Sequence, residues 1–92
     1  MNVAAADLKI QGLVQGVGYR YFCYKLAVNS GLKGWVSNRP DGSVVARLEG
    51  DKGAVLALIE QLKTGPHHGQ VTAVDIDWVE PSDESGEFSI VY

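Results

Sequence analysis

Asp7-Leu8-Lys9-Ile10-Gln11-Gly12-Leu13-Val14-Gln15-Gly16-Val17-Gly18-Tyr19-Arg20-Tyr21-Phe22-Cys23-Tyr24-Lys25-Leu26-Ala27 changes its periodicity halfway along, and that change decides the fold. Over Asp7–Leu13, apolar Leu8 and Ile10 alternate with polar Lys9 and Gln11, the period of a half-buried strand. From Tyr19 to Ser30, the apolar positions Tyr19, Phe22, Cys23, Leu26 and Ala27 fall at i, i+3, i+4, i+7 and i+8, one face of a helix. Gly31 is placed to end that helix. Between the two periods lies a loop punctuated by Gly12, Gly16 and Gly18.

Working outward, Lys33–Asn38 reads as a second strand and Ser43–Glu49 as a third, with Val44, Ala46 and Leu48 on one face. Arg39-Pro40-Asp41-Gly42 between them carries turn residues, so the two strands form a hairpin. Asp51 can cap a second helix whose apolar face is Val55, Leu58, Ile59 and Leu62. Gly65-Pro66 stops it, and His67–Gln70 is loop. Val71–Glu80 holds a fourth strand with Val74, Ile76 and Trp78 on one face. Pro81–Gly86 is a polar, acidic loop, and Phe88–Tyr92 is a short last strand. Trp35, Trp78 and Phe88 are expected in the core, and Tyr24, off the helix face, is expected in solvent. The order β-α-β-β-α-β plus a short β predicts an α+β fold, the ferredoxin-like split βαβ sandwich, with two helices on one face of a mostly antiparallel sheet. Residues 1–92 are read as a single domain.

The net charge of −3 argues against nucleic-acid or anionic-membrane binding, which needs a basic surface. An anionic ligand must then be met by a local positive site. One cysteine, Cys23, excludes an internal disulfide and fits a reducing compartment. The first residues lack the basic and apolar regions of a signal peptide, and the apolar runs are too short to span a bilayer. Cytoplasm is the expected location.

The loop Gly12–Arg20 joins a strand to a helix, a corner where backbone N–H groups and the helix dipole favour an anion. Gly16 and Gly18 allow positive φ and close approach of a ligand, and Arg20 can clamp phosphate or carboxylate with two hydrogen bonds. Glycines before a helix are also common without any ligand, so these residues alone leave both readings open. The loop is not a P-loop, because the Gly-Lys-Ser/Thr ending is missing. His67 and His68 are read as loop residues, Cys23 as a buried small hydrophobe, and Asp41 as a turn residue; no metal site is expected.

A second stretch places Asn38 at the end of a strand. Gly12-x-Val14-Gln15-Gly16-Val17-Gly18-Tyr19-Arg20, followed by Gly34-Trp35-Val36-x-Asn38-x-x-Asp41-Gly42-x-Val44 and Glu49-Gly50, resembles the acylphosphatase family. The resemblance runs from about Asp7 to Tyr92; Gly65-Pro66 and Phe88-x-Ile90 also fit it. Leu13, Tyr19, Val45 and His67-His68 depart from the family's commoner residues.

The resemblance implies hydrolysis of acyl phosphates to a carboxylate and inorganic phosphate, without cofactor or metal. It implies Arg20 and Asn38 as catalytic residues. It also implies a phosphate held by Arg20 and the backbone amides of Gln15, Gly16, Val17, Gly18, Tyr19 and Arg20. Asn38 orients the attacking water in this expectation, and the Tyr92 carboxylate is a candidate partner for Arg20. The partners expected are the small acyl phosphate and its phosphate product, with no nucleic acid and no membrane, and the chain acts as a monomer. The same resemblance admits a non-catalytic phosphate- or carbamoyl-phosphate-binding module. An RNA-binding domain of the same β-α-β-β-α-β shape is disfavoured, because Ser43–Glu49 carries no aromatic residue.

Overall fold

The computed structural model describes residues 2–82 and 86–92. The strands are β1 (Val3–Leu13), β2 (Lys33–Asn38), β3 (Val44–Asp51), β4 (Gln70–Val79) and β5 (Ser89–Val91); the helices are α1 (Tyr19–Asn29) and α2 (Lys52–Thr64). They form one five-stranded sheet in the order β4-β1-β3-β2-β5. The first four strands pair antiparallel, and β5 pairs parallel to β2, with Ile90 opposite Val36. This is the expected ferredoxin-like arrangement, with a mixed sheet because of β5.

One face of the sheet is covered by the helices. Leu8 and Ile10 of β1, Val36 of β2, and Val44, Ala46 and Leu48 of β3 are buried against Tyr19, Cys23 and Ala27 of α1 and Val55, Leu58, Ile59 and Leu62 of α2. Burying each large apolar side chain contributes about 1.5–3 kcal/mol. The two helices also meet through a hydrogen bond. The buried Tyr19 hydroxyl donates to the Leu62 carbonyl at 2.6 Å, near the C-terminal end of α2 where carbonyls lack partners within the helix.

The other face is open. There Asp7 of β1 and Arg47 of β3 lie opposite one another and form an ion pair. Trp35 lies opposite Arg47 and therefore shares this face, so it is not a core residue as expected. Trp78 also departs from expectation. It stands opposite Ala6, but β4 is an edge strand and Trp78 remains 45% exposed, with the Lys52 ammonium 5.9 Å from its ring centroid. Phe88 is buried as expected. Tyr24 is half-buried, packed at 6.4 Å ring to ring against Phe88 rather than lying free in solvent. β1 begins four residues before the expected Asp7, at Val3. Of the acidic loop, residues 83–85 lie outside the described residues.

At the end of β1 the register shifts between Gln11 and Gly12. Gly12 has φ 126°, and a Cβ there would lie 2.1 Å from the Gln70 carbonyl oxygen. Such a bulge bends the strand as it leaves the sheet.

Candidate active site

Val14, 1% exposed, is the last core residue before the loop. Gly16 and Gly18 follow at φ 74° and 80°, a region L side chains rarely adopt, and a Cβ at either would meet nothing within 4 Å. They are glycines for backbone direction, not for space. Val17 packs partly against the core. Gly18 is the N-cap of α1 in the left-handed conformation; no side chain caps the helix and no acidic residue stands in its first turn. The first N–H groups of a helix have no partner within it, and the dipole there favours negative charge. α1 presents that start together with the positive charge of Arg20.

Arg20 is half-buried, and its guanidinium carbon lies 4.8 Å from the centroid of the Tyr92 ring, within cation–π range. The contact Tyr92 makes with Arg20 is thus through the aromatic ring. Asn38 ends β2, opposite Val44. Its Oδ1 is buried and finds no hydrogen-bond partner among the described residues.

These parts share one cavity of about 200 Å³, lined by Val14, Gly16, Gly18, Tyr19, Arg20, Tyr21, Asn38, Ile90 and Tyr92. That is the room of several water molecules at about 30 Å³ each. Of the residues singled out in the sequence, Gly16, Gly18, Tyr19, Arg20 and Asn38 line it. Gln15 and Val17 do not; Val17 turns to the core and Gln15 to the β2–β3 turn. The Tyr19 ring is buried, and burial, with Cys23 nearby, pushes its hydroxyl well above the usual range. Tyr21 and Ile90 were not foreseen. An exposed aromatic beside Arg20 in the first helical turn was the available signal for Tyr21.

The other titratable candidates lie elsewhere. Asp41 accepts from the Ser43 hydroxyl at 2.6 Å and the Ser43 amide at 2.9 Å, and it pairs with Lys9 at 3.1 Å. These donors hold its carboxyl well below the usual carboxylate range, the Ser43 bonds most strongly. Asp41 therefore closes the turn, as expected. Cys23 lies within the core, and burial pushes its thiol up to about 12. His67 and His68 are exposed and pack edge to face at 4.9 Å. Among the described residues, no three His, Cys, Asp or Glu side chains gather as a metal site, and no helix is long and apolar enough to cross a membrane.

A ferredoxin-like α+β sheet with an uncapped, glycine-framed helix start facing Arg and Asn defines a recognisable class of small domain. Comparison with known proteins narrows it. The acylphosphatase family model matches residues 6–90. The acylphosphatase of Roseiflexus sp. (strain RS-1) is 40% identical over 92 residues, covering 100% of this chain and 99% of the relative. The crystal structure of acylphosphatase from Bacillus subtilis superposes with a TM-score of 0.93 at 36% identity, over 97% of this chain and 99% of that one. Full-length HypF, in its phosphate- and nucleotide-bound form, matches with a TM-score of 0.86 at 29% identity, over 99% of this chain but 12% of its own. The chain belongs to the acylphosphatase family.

Proposed function

We propose that this chain hydrolyses acyl phosphates by direct, in-line attack of water on phosphorus, with Asn38 holding the water and Arg20 holding the phosphoryl group. The observation that carries this reading is that Asn38, Arg20 and the glycine loop line one cavity. A side-chain amide can hydrogen-bond a water, and being neutral it does not repel the anion. The backbone amides from Gln15 to Arg20 and the Arg20 guanidinium meet the phosphoryl oxygens, where charge gathers as the bond to the leaving oxygen stretches.

The water oxygen forms the new P–O bond as the bond from phosphorus to the acyl oxygen breaks. The bonding pair leaves with the carboxylate, and the water proton passes to a phosphoryl oxygen. A carboxylate leaves without a proton, so the reaction asks for no general acid. The charge is met by Arg20 and the amides, so it asks for no metal. We read residues 1–92 as one domain, working as a monomer in the cytoplasm, a location with which the single, buried Cys23 is compatible.

The likeness to a segment of HypF favours a second reading, a phosphate-binding module without turnover. Hydrolysis of benzoyl phosphate separates the two. The mechanism expects turnover unchanged by chelator, and losses of at least about 10²–10³ in kcat for Asn38→Ala, with the circular dichroism of the parent. Binding of inorganic phosphate without turnover establishes the module instead.

A further inference from the structure

The loop that faces the cavity is anchored on its core side by Val14 and Val17, while Gly16 and Gly18 have no side chain to tie it to the β2–β3 turn. The Gln15 side chain supplies a strut from outside the cavity. Its Nε2 donates to the Arg39 carbonyl at 2.7 Å and to the Ser43 carbonyl at 2.8 Å. A primary amide nitrogen carries two hydrogens, and here each has a carbonyl. Those two carbonyls are the ones that close the β2–β3 turn: Gly42 N–H donates to Arg39 at 3.1 Å, and Arg39 N–H donates to Ser43 at 2.9 Å. Gln15 therefore holds both ends of the turn at once. Asn38 directly precedes Arg39 and pairs with Val44, the residue after Ser43. The chain that carries Asn38 is thus tied to the glycine loop through one side chain.

We infer that Gln15 is a positioning residue whose side-chain amide sets the distance between the glycine loop and Asn38. The inference rests on the mechanism proposed above. A water on the Asn38 side-chain amide must lie in line with a phosphorus held by the loop and Arg20, and a misplacement of about 1 Å costs up to about 10²-fold in rate. Phosphate affinity depends on Arg20 and the loop amides, and does not require Asn38 to be aligned. Loss of the strut therefore lowers kcat while leaving KM nearly unchanged.

The test measures benzoyl phosphate hydrolysis and inhibition by inorganic phosphate for Gln15→Met and Gln15→Asn, each alone and combined with Asn38→Ala. Gln15→Asn keeps the amide but is one methylene too short to reach both carbonyls, and it serves if Gln15→Met does not fold. The expected result is a kcat lower by about tenfold or more, with KM and the phosphate inhibition constant within about threefold of the parent. In the Asn38→Ala background the same replacement lowers kcat by less than about twofold, because the residue it positions is gone. A folded Gln15 variant with parental kcat, or a Gln15 loss that multiplies in full with that of Asn38→Ala, overturns the role of Gln15 alone. Parental turnover by Asn38→Ala itself overturns the mechanism, and this role with it.

Discussion

Both helices begin shortly after a strand, yet their first turns are completed differently. α2 starts at Asp51, whose carboxylate accepts from the Ala54 amide at 3.1 Å. α1 starts at Gly18, with no side-chain cap and with Arg20 in its first turn. Local helix stability alone favours the first arrangement, since Asp is a strong cap and a negative charge suits that end of the dipole. In the proposed mechanism the helix capped by its own carboxylate takes no ligand, and the one left to glycine is the one that meets the phosphoryl group. The difference teaches that the signal of a site here is a stabilising residue withheld.

The contrast breaks most visibly at Arg20. Arg20→Gln is expected to lower kcat/KM for benzoyl phosphate by at least about 10²–10³ without changing the helical signal. Arg20→Lys is expected to rescue it poorly, because an ammonium lacks the planar fork. Placing a negative charge at the start of α1 is the next test. Gly18→Asp puts a carboxylate at the cavity, and phosphate inhibition should weaken by roughly tenfold or more relative to Gly18→Asn, the neutral control that carries the same strain at φ 80°, through like-charge repulsion. Equal phosphate inhibition of Gly18→Asp and Gly18→Asn would remove the contrast. The reciprocal change, Asp51→Ala, is expected to cost about 1 kcal/mol of stability, a fall in Tm of about 4–8 °C, with kcat unaltered.

The smallest effect concerns the part of α1 that is ordinary core. Cys23 has its thiol pushed up to about 12 by burial, so the native protein should resist alkylation at pH 8 and react once urea unfolds it. The sign of the pH dependence follows. Above the ordinary thiol value of 9.0 the unfolded chain ionises and the folded one does not, so this group's contribution to stability is lost as pH rises towards about 12.

Most of the architecture was legible from the alternation in β1 and β3 and the helical spacing of α1 and α2. The start of β1 was not, because Val3-Ala4-Ala5-Ala6 offers no polar–apolar contrast to mark a strand. Trp35 and Trp78 were misplaced for two different reasons. Trp35 has the wrong phase within β2: Val36 faces the helices, so its neighbour must face away. Trp78 has the right phase, but the edge strand carries it to where the helices no longer cover the sheet fully. In the site, the pairing of Arg20 with Asn38 was available through family resemblance, since the residues lie in separate elements. The Gln15 strut was not, because no local pattern says where a flexible side chain reaches across the fold.

β5 adds one more consequence. It pairs with β2 and brings Ile90, with Tyr92 just beyond, to the cavity that Val14, Arg20 and Asn38 line from the other parts of the chain. α1 can form from local contacts on a timescale of about a microsecond, whereas pairing of distant segments is slow. The cavity is complete only when β5 has docked, so its completion and the formation of α1 can be followed separately. In a stopped-flow experiment, coincident return of activity and helix means that β5 docks with the rest of the sheet, and a lag in activity times its separate arrival.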